Sequence, residues 1–317
     1  MTLSDQTIFS FREAFGQALL ELGEQVHDLV VVDADVFKST KTLYFAKKFS
    51  ERFITVGISE QDLVDVAAGL ALGGKIPVAS TYAMFMMRGW EQIRNTIARD
   101  HLNVKLIATH AGLSDYLDGS SHQCLEDVAL MRVIPGMTVL VPADDIATKQ
   151  LLFQSVINHK GPLYMRLGRD NAYRVYNNEN ELVIGRAQLL KEGSDVSIIA
   201  NGVMVSVALK VATLLKEKKI SAEIIDMHTV KPLDTTTLIH TASKTGRVVT
   251  IEEHNIIGGL GSAVSEVLSE NKPVFIKRIG IPDIFGTAGR SYEELLNYFG
   301  LISERISKTI EVFVNES

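Results

Sequence analysis

Short β-branched runs recur along this chain with longer amphipathic stretches between most of them, and this alternation limits what the chain can fold into. DLVVVDAD, KIPVAST, VKLIATH, MTVLVPAD and PLYMRLG read as strands buried on both faces, because their apolar residues run on without the alternation of a half-exposed strand. The pattern predicts an α/β fold with a mainly parallel sheet. Polar YNNENEL, residues 176–182, interrupts the rhythm and GSD at 193–195 reopens it, which sets a boundary within 172–195. A second α/β unit follows, with strands VSIIANG, AEIIDMH, RVVTIEEH and VFIKRIG and helices near 203–218 and 261–270. Two open, mainly parallel sheet domains are expected, over residues 1–175 and 191–317, with a linker at 176–190.

At 317 residues and 46% hydrophobic, the chain can bury a core large enough for two domains. A net charge of −6 offers no basic field to hold a polyanion, so nucleic acid is not an expected partner. A small phosphorylated substrate needs only a few local cations. Cys124 is the single cysteine, which rules out an internal disulfide and a cysteine-based zinc site and fits a reducing cytoplasm. The opening MTLSDQTIFSFREAF lacks the basic flank and apolar core of a signal peptide. Charge or glycine interrupts every apolar stretch before the ~20 residues that a membrane span requires.

TVGISEQDLVDVAAGLALGG, residues 55–74, sets Glu60 at the threshold of an apolar run. Ser59 with Asp62 three residues later reads as a capping box, and Glu60, Gln61 and Asp62 suit the positive end of a helix dipole. From these residues alone Glu60 is either a helix-starting acid or a carboxylate placed for chemistry. In STYAMFMMRGWEQIR, Tyr82, Phe85 and Arg88 lie three apart on one side of a helical turn, just beyond the strand IPVAS. Such a stripe either packs a core or offers flat faces to a heterocycle at a strand end.

THAGLSDYLDGSSHQ carries His110, Asp115, Asp118 and His122 in one glycine-containing loop after a strand end. The spacing matches no dense metal-ligand set, and sugar-hydroxyl or phosphate contacts suit these groups better, with turn and capping duties as the alternative for Asp118 and Ser121. No metal ligands are assigned to the chain. MRLGRDN ends another strand with Arg166 and Arg169, which suit either an anion or a weak surface ion pair. IIGGLGSAV stands where a dinucleotide fingerprint belongs, but Val264 occupies the position that wants glycine or alanine, so Gly259 and Gly261 read as a tight strand-to-helix turn.

VGISEQ, AAGLALGG, STYAMF, THAGLSDYLDGSSHQ and LEDVALMRVIPGMTVLVPAD together resemble the pyrimidine-binding domain of transketolases, in the same order and with closely similar spacing. MHTVKPLD and EEHNIIGGLGSAV resemble pieces of the transketolase C-terminal domain. The resemblance implies a thiamine-diphosphate enzyme in which Glu60 binds N1′ of the aminopyrimidine and promotes deprotonation of the thiazolium carbon. A helix N-terminus favours the carboxylate by roughly 0.3–1 kcal/mol, while burial acts in the opposite direction. By the same resemblance Tyr82 and Phe85 form the aminopyrimidine platform, and Arg88 stands where relatives carry tyrosine or arginine. Asp35 lies near the thiazolium and Val36 props the bent cofactor. His122 contacts the reacting oxygens of the donor, and Asp118 reads a substrate hydroxyl. Arg12, Ser39, His110 and Arg169 fall on the four positions that grip the sugar phosphate.

The departure from the family is as large as the match. Transketolases hold the diphosphate and Mg²⁺ through a GDG segment in an N-terminal domain, and this sequence contains no GDG. The resemblance therefore implies one subunit of a split transketolase. An N-terminal subunit would supply the diphosphate and Mg²⁺ half, in a heterotetramer with two copies of each chain. The expected reaction moves a two-carbon ketol unit from a ketose phosphate to an aldose phosphate. Condensation of an oxoacid with an aldehyde phosphate, as in 1-deoxyxylulose-5-phosphate synthase, is the alternative within the enzyme class. A 2-oxoacid dehydrogenase beta subunit fits the DGSSHQ region less well, and a non-catalytic assembly subunit of the same fold is the alternative outside the class.

Overall fold

A computed structural model describes residues 7–177 and 181–316; Asn178, Glu179 and Asn180 of the expected linker lie outside the described residues, as do 1–6 and 317. All five strands expected in the first half are present. They join a seven-stranded sheet in the order Thr229–Lys231, Thr138–Leu140, Leu163–Arg166, Lys105–Thr109, Ile76–Tyr82, Leu29–Asp33, Phe53–Thr55. Every pairing is parallel except that of Thr229–Lys231, which lies antiparallel on the edge. Leu29–Asp33 and Lys105–Thr109 are buried throughout, because helices cover both faces.

The second sheet runs Phe275–Ile281, Arg247–Asn255, Val196–Ala200, Ala222–Asp226, Gln188–Lys191. Its first four strands are parallel and Gln188–Lys191 is antiparallel. The expected helices appear as Met204–Glu217 and Leu260–Asn271. Phe53–Thr55, Gln188–Lys191 and Thr229–Lys231 are strands of three or four residues, too short to show a period in the sequence. No helix of the described residues is long and apolar enough to cross a membrane.

The two halves are not beads on a string. Thr229–Lys231 comes from beyond the expected boundary yet completes the first sheet, and one hydrophobic core runs from Phe15 and Leu163 to Ile198 and Ile251. The expected linker is anchored as well, since Tyr176 and Leu182 within it are buried. Asp144 caps the helix Asp145–Ile157 through Ala147 N–H at 2.7 Å and also accepts from the amides of Val175 and Tyr176. One carboxylate thereby starts a helix and anchors the chain as it leaves the first half.

The Tyr176 hydroxyl donates to Asp226 Oδ2 at 2.6 Å, on a strand of the second sheet, and Asp226 Oδ1 has no hydrogen-bond partner. Burial pushes Asp226 up to about 8, against the hydrogen bond from Tyr176. The folded value stands above the unfolded one, so the neutral acid stabilises the fold at pH below about 4, and this contribution is lost as the pH rises through about 8. Asp226→Asn removes the titration. Relative to the unmodified chain, its stability in denaturant unfolding should rise by at least about 1 kcal/mol between about pH 5 and about pH 8.5. The same difference at both pH values would contradict the burial of an uncompensated acid.

Candidate active site

Five neighbouring parallel strands end side by side, at Arg166, Thr109, Tyr82, Asp33 and Thr55. The loops that leave these ends carry Arg169, His110, Phe85 with Arg88, Asp35 with Val36, and Glu60. This is the carboxyl edge, where open α/β sheets bind ligands. Arg12 joins from the first turn of the helix Phe11–Gln25, because Ile8–Ser10 pairs antiparallel with Asn171–Tyr173 and brings that helix start beside Arg169. Two other surface clefts, one against the helix Asp145–Ile157 and one around Lys210 and Tyr292, contain none of these residues.

Asp33 shapes the first loop. Its buried carboxylate accepts from Val36 N–H at 2.7 Å, Thr40 Oγ1 at 3.0 Å and Thr42 Oγ1 at 2.9 Å. Burial pushes it up to about 6, with the three donors opposing that rise. The loop folds back around Asp33 and leaves Asp35 exposed in a left-handed backbone conformation at φ 65°. It also turns the Ser39 carbonyl to accept from Arg12 Nη1 at 3.1 Å.

Glu60 begins the helix Glu60–Leu72 and is 4% exposed. The expected capping box is corrected here: Ser59 occupies the N-cap, but its side chain accepts no cap hydrogen bond. Ser59 is at φ −150° and ψ 82°, and Asp62 faces solvent. Arg88 Nε approaches Glu60 Oε2 at 3.4 Å without hydrogen-bond alignment, so this buried oxygen has no donor. Tyr82 and Phe85 do not share a helical face, since Tyr82 closes its strand and Phe85 lies in the short helix Ala83–Met86. Their rings nevertheless stack, 5.0 Å apart and 13° from parallel.

That stack joins the groups assigned to cofactor and to substrate. His110 stacks on Tyr82 at 3.6 Å and His122 meets Phe85 edge-on at 5.3 Å. His110 is buried with φ 59°, and its Nδ1 is 2.8 Å from Thr109 Oγ1. Burial, with Arg12, Arg169 and His122 nearby, pushes His110 down to about 2, so it is a neutral ring at pH 7. Arg12 Nε donates to the Arg169 carbonyl at 3.1 Å. Burial and the charge of Arg169 both lower the proton affinity of Arg12, with the nearby acids Glu13 and Asp115 opposing. Arg12, Ser39, His110 and Arg169 are thus one cluster.

Asp115 and Asp118 both lie against the Arg169 guanidinium, Asp115 as a close ion pair and Asp118 at 3.4 Å. Burial and the adjacent Asp118 raise Asp115, with Arg169 opposing. His122 is half-buried, with Nδ1 2.9 Å from Ser121 Oγ. Among the described residues no group of three or more His, Cys, Asp or Glu is arranged to hold a metal ion.

Other readings change with the structure. Arg166 is no surface ion pair: it is buried, donates to Asp127 Oδ2 at 3.0 Å and to the Glu253 carbonyl at 2.8 Å, and lies 3.6 Å from Glu253 Oε2. Asp33, Asp115 and Glu253 make contacts that hold loops at this edge, and sequence reasoning missed them or left them unassigned. The one available signal was an acid at or next to a strand end, in LVVVD and VVTIEE. At IIGGLGSAV, Glu252 accepts from the amides of Leu260 and Gly261 at 2.7 and 2.8 Å. A Cβ on Gly259 would stand 2.1 Å from Glu252 Oε2. The helix start that a dinucleotide phosphate would use is filled by the protein's own carboxylate.

The scaffold is two-domain α/β, with a buried acid, an aromatic stack and an arginine pair brought to one sheet edge. Residues 8–174 match the transketolase pyrimidine binding domain and residues 185–306 the transketolase C-terminal domain. The chain belongs to the transketolase family of transferases, and membership implies dependence on thiamine diphosphate. A Methanocaldococcus jannaschii protein named as a transketolase C-terminal section is 46% identical over 303 residues, which cover 94% of each chain. A 6-deoxy-6-sulfo-D-fructose transketolase subunit of Clostridium sp. is 40% identical, over 93% of this chain and 91% of that one. A split gene transketolase solved as an inactive β4 tetramer superposes with a TM-score of 0.89 at 45% identity, covering 97% of this chain and 99% of that one. The chain has the form of the C-terminal subunit of a split transketolase.

Thr42→Val deletes one of the two hydroxyl donors to buried Asp33 Oδ2. It should cost about 1–3 kcal/mol in denaturant unfolding of the chain. An unchanged midpoint would show that the loop carrying Asp35, Val36 and Ser39 does not depend on Asp33.

Proposed function

We propose that this chain supplies the pyrimidine-binding half of a thiamine-diphosphate-dependent transferase that moves a two-carbon ketol unit from a ketose phosphate to an aldose phosphate. The observation that carries the reading is the buried Glu60 oxygen without a donor, on the same sheet edge as the Arg12, Ser39, His110 and Arg169 cluster. A buried carboxylate oxygen without a donor is costly, and a protonated ring nitrogen of the aminopyrimidine is a donor of the right kind. The residues fit the cofactor.

Each side chain then has a task. Glu60 would hold a proton at N1′ of the aminopyrimidine, while Tyr82 and Phe85 contact that ring and Arg88 closes over its edge. Val36 would support the bend of the cofactor, with Asp35 beside the thiazolium. Thiamine diphosphate, when bound, supplies the nucleophilic carbon that attacks the ketose carbonyl. His122 would donate to or accept from the oxygens whose charge changes, and Asp118 would read a hydroxyl of the sugar. Arg12 and Arg169, with neutral His110 and Ser39, would hold the phosphate, whose binding energy orients the carbonyl.

An N-terminal transketolase subunit with a GDG segment would carry the Mg²⁺ and diphosphate ligands, two copies of each chain forming the assembly. Ile58, 80% exposed beside Glu60, and Leu117, 60% exposed in the loop of His122, are apolar surfaces suited to being covered by that subunit. On this reading the enzyme serves carbohydrate metabolism in the cytoplasm, either on the general pentose phosphate pool or in a specialised pathway with its own ketose phosphate.

Calorimetry with thiamine diphosphate and Mg²⁺ should detect tight binding only when the two chains are mixed, and the mixture should transfer ketol units. Absence of cofactor binding with every candidate partner would favour a non-catalytic assembly role. In the active mixture, Glu60→Gln should lower turnover by at least ~100-fold; near-normal activity would remove Glu60 from its assigned role. Arg169→Ala should raise KM for a ketose phosphate by roughly 10–100-fold and leave cofactor affinity within about twofold. A loss of cofactor affinity of the same size would place Arg169 elsewhere than at the sugar phosphate.

A further inference from the structure

The loop over residues 110–123 carries His110, Asp115, Asp118 and His122, and the second half of the chain grips it along its length. Glu253, at the end of the second sheet, accepts from Leu113 N–H at 2.9 Å and from the Tyr292 hydroxyl at 2.8 Å, both on Oε1. Its other oxygen faces Arg166 Nη1 at 3.6 Å. Gly289 N–H donates to the Tyr116 carbonyl at 2.9 Å, and Gln123 Nε2 donates to the Thr287 carbonyl at 2.9 Å. Gly112 makes room for the grip: it sits at φ +71°, and a Cβ there would stand 2.2 Å from Glu253 Oε2.

We propose that Glu253 is a positioning residue through which the C-terminal domain sets the loop that bears His122 and Asp118, and so sets substrate affinity without touching substrate. A buried carboxylate carries a desolvation cost that only well-placed donors and an opposing charge offset, and those partners then fix one arrangement around it. Glu253 meets that description, because it takes a backbone donor from the loop, a side-chain donor from its own domain and the charge of Arg166. Without it, Leu113 N–H and Arg166 would be buried with fewer acceptors, and the loop would move to satisfy them. The effect on substrate rests on the reading of His122 and Asp118 as substrate contacts; the effect on the loop does not.

Hydrogen exchange read by mass spectrometry on the full chain separates the two. In Glu253→Ala, exchange in peptides from residues 110–123 should quicken about tenfold, while peptides from 29–36 and 60–89 stay within about twofold. Glu253→Gln keeps an acceptor oxygen for Leu113 N–H and Tyr292 O–H and should restore most of the protection. If Glu253→Ala does not fold, Tyr292→Phe, which removes one donor without changing shape, should still quicken exchange in 110–123 about threefold. Equal quickening in all three segments, or none in 110–123, overturns the proposal. In an active complex, Tyr292→Phe should raise KM for a ketose phosphate more than it lowers kcat, and unchanged values of both overturn the link to substrate. An unmodified complex that transfers nothing would count against the function proposed above and leave the exchange result to decide the role of Glu253 in the loop.

Discussion

Parallel pairing of the strands ending at Thr55, Asp33, Tyr82, Thr109 and Arg166 is the constraint on which the candidate site depends. In register, Asp33 lies beside Ser80, Tyr82 beside Thr109 and Ala108 beside Arg166, so these five exits from the sheet lie on one edge. A parallel ladder needs both faces covered, which is why its residues are almost continuously apolar and why polar function is confined to the loops at that edge. Residues as far apart as Arg12 and Arg169 meet there because Ile8–Ser10 pairs with Asn171–Tyr173 and sets the start of the helix Phe11–Gln25 beside that edge.

Buried acids hold the irregular segments of the chain, at that edge and away from it. Asp33 gathers an amide and two hydroxyls, Asp144 three amides, and Glu252 the first amides of a helix. Each carboxylate takes the donors that an irregular segment would otherwise bury unpaired, at a cost of about 1–3 kcal/mol apiece. Arg166, Asp127 and Glu253 extend this scheme across both halves of the chain, with Tyr164 donating to Asp127 at 2.7 Å. Removing one member of such a buried network costs about 3–5 kcal/mol, because it strands the others. The second half of the chain is therefore part of the site's support.

Much of this was legible in the sequence where one physical signal dominates. Apolar, β-branched runs located nine strands and amphipathic spacing two helices, since burial leaves a composition that loops do not have. Phe53–Thr55, Gln188–Lys191 and Thr229–Lys231 escaped because an edge strand of three or four residues is defined by its neighbour's hydrogen bonds. The capping box at Ser59 was the natural reading of its spacing, but a spacing says nothing of whether the hydroxyl turns toward the amides, and here it does not. Arg166 and Arg169 look alike in MRLGRDN; only burial separates the structural cation from the one beside the loop of His122.

By itself the sequence determined the α/β class, the succession of most strands along the chain and the chemical kinds of residue available at their ends, because these follow from local periodicity and composition. It also carried the family, through ordered motifs that span both halves. What only the tertiary structure decided is which of those residues meet: that Arg12 reaches Ser39 and Arg169, that His110 stacks on Tyr82, and that Glu253 holds a loop 140 residues away. Contacts of that range depend on sheet order and domain packing, which are set by the whole buried surface at once and leave no local mark in the chain.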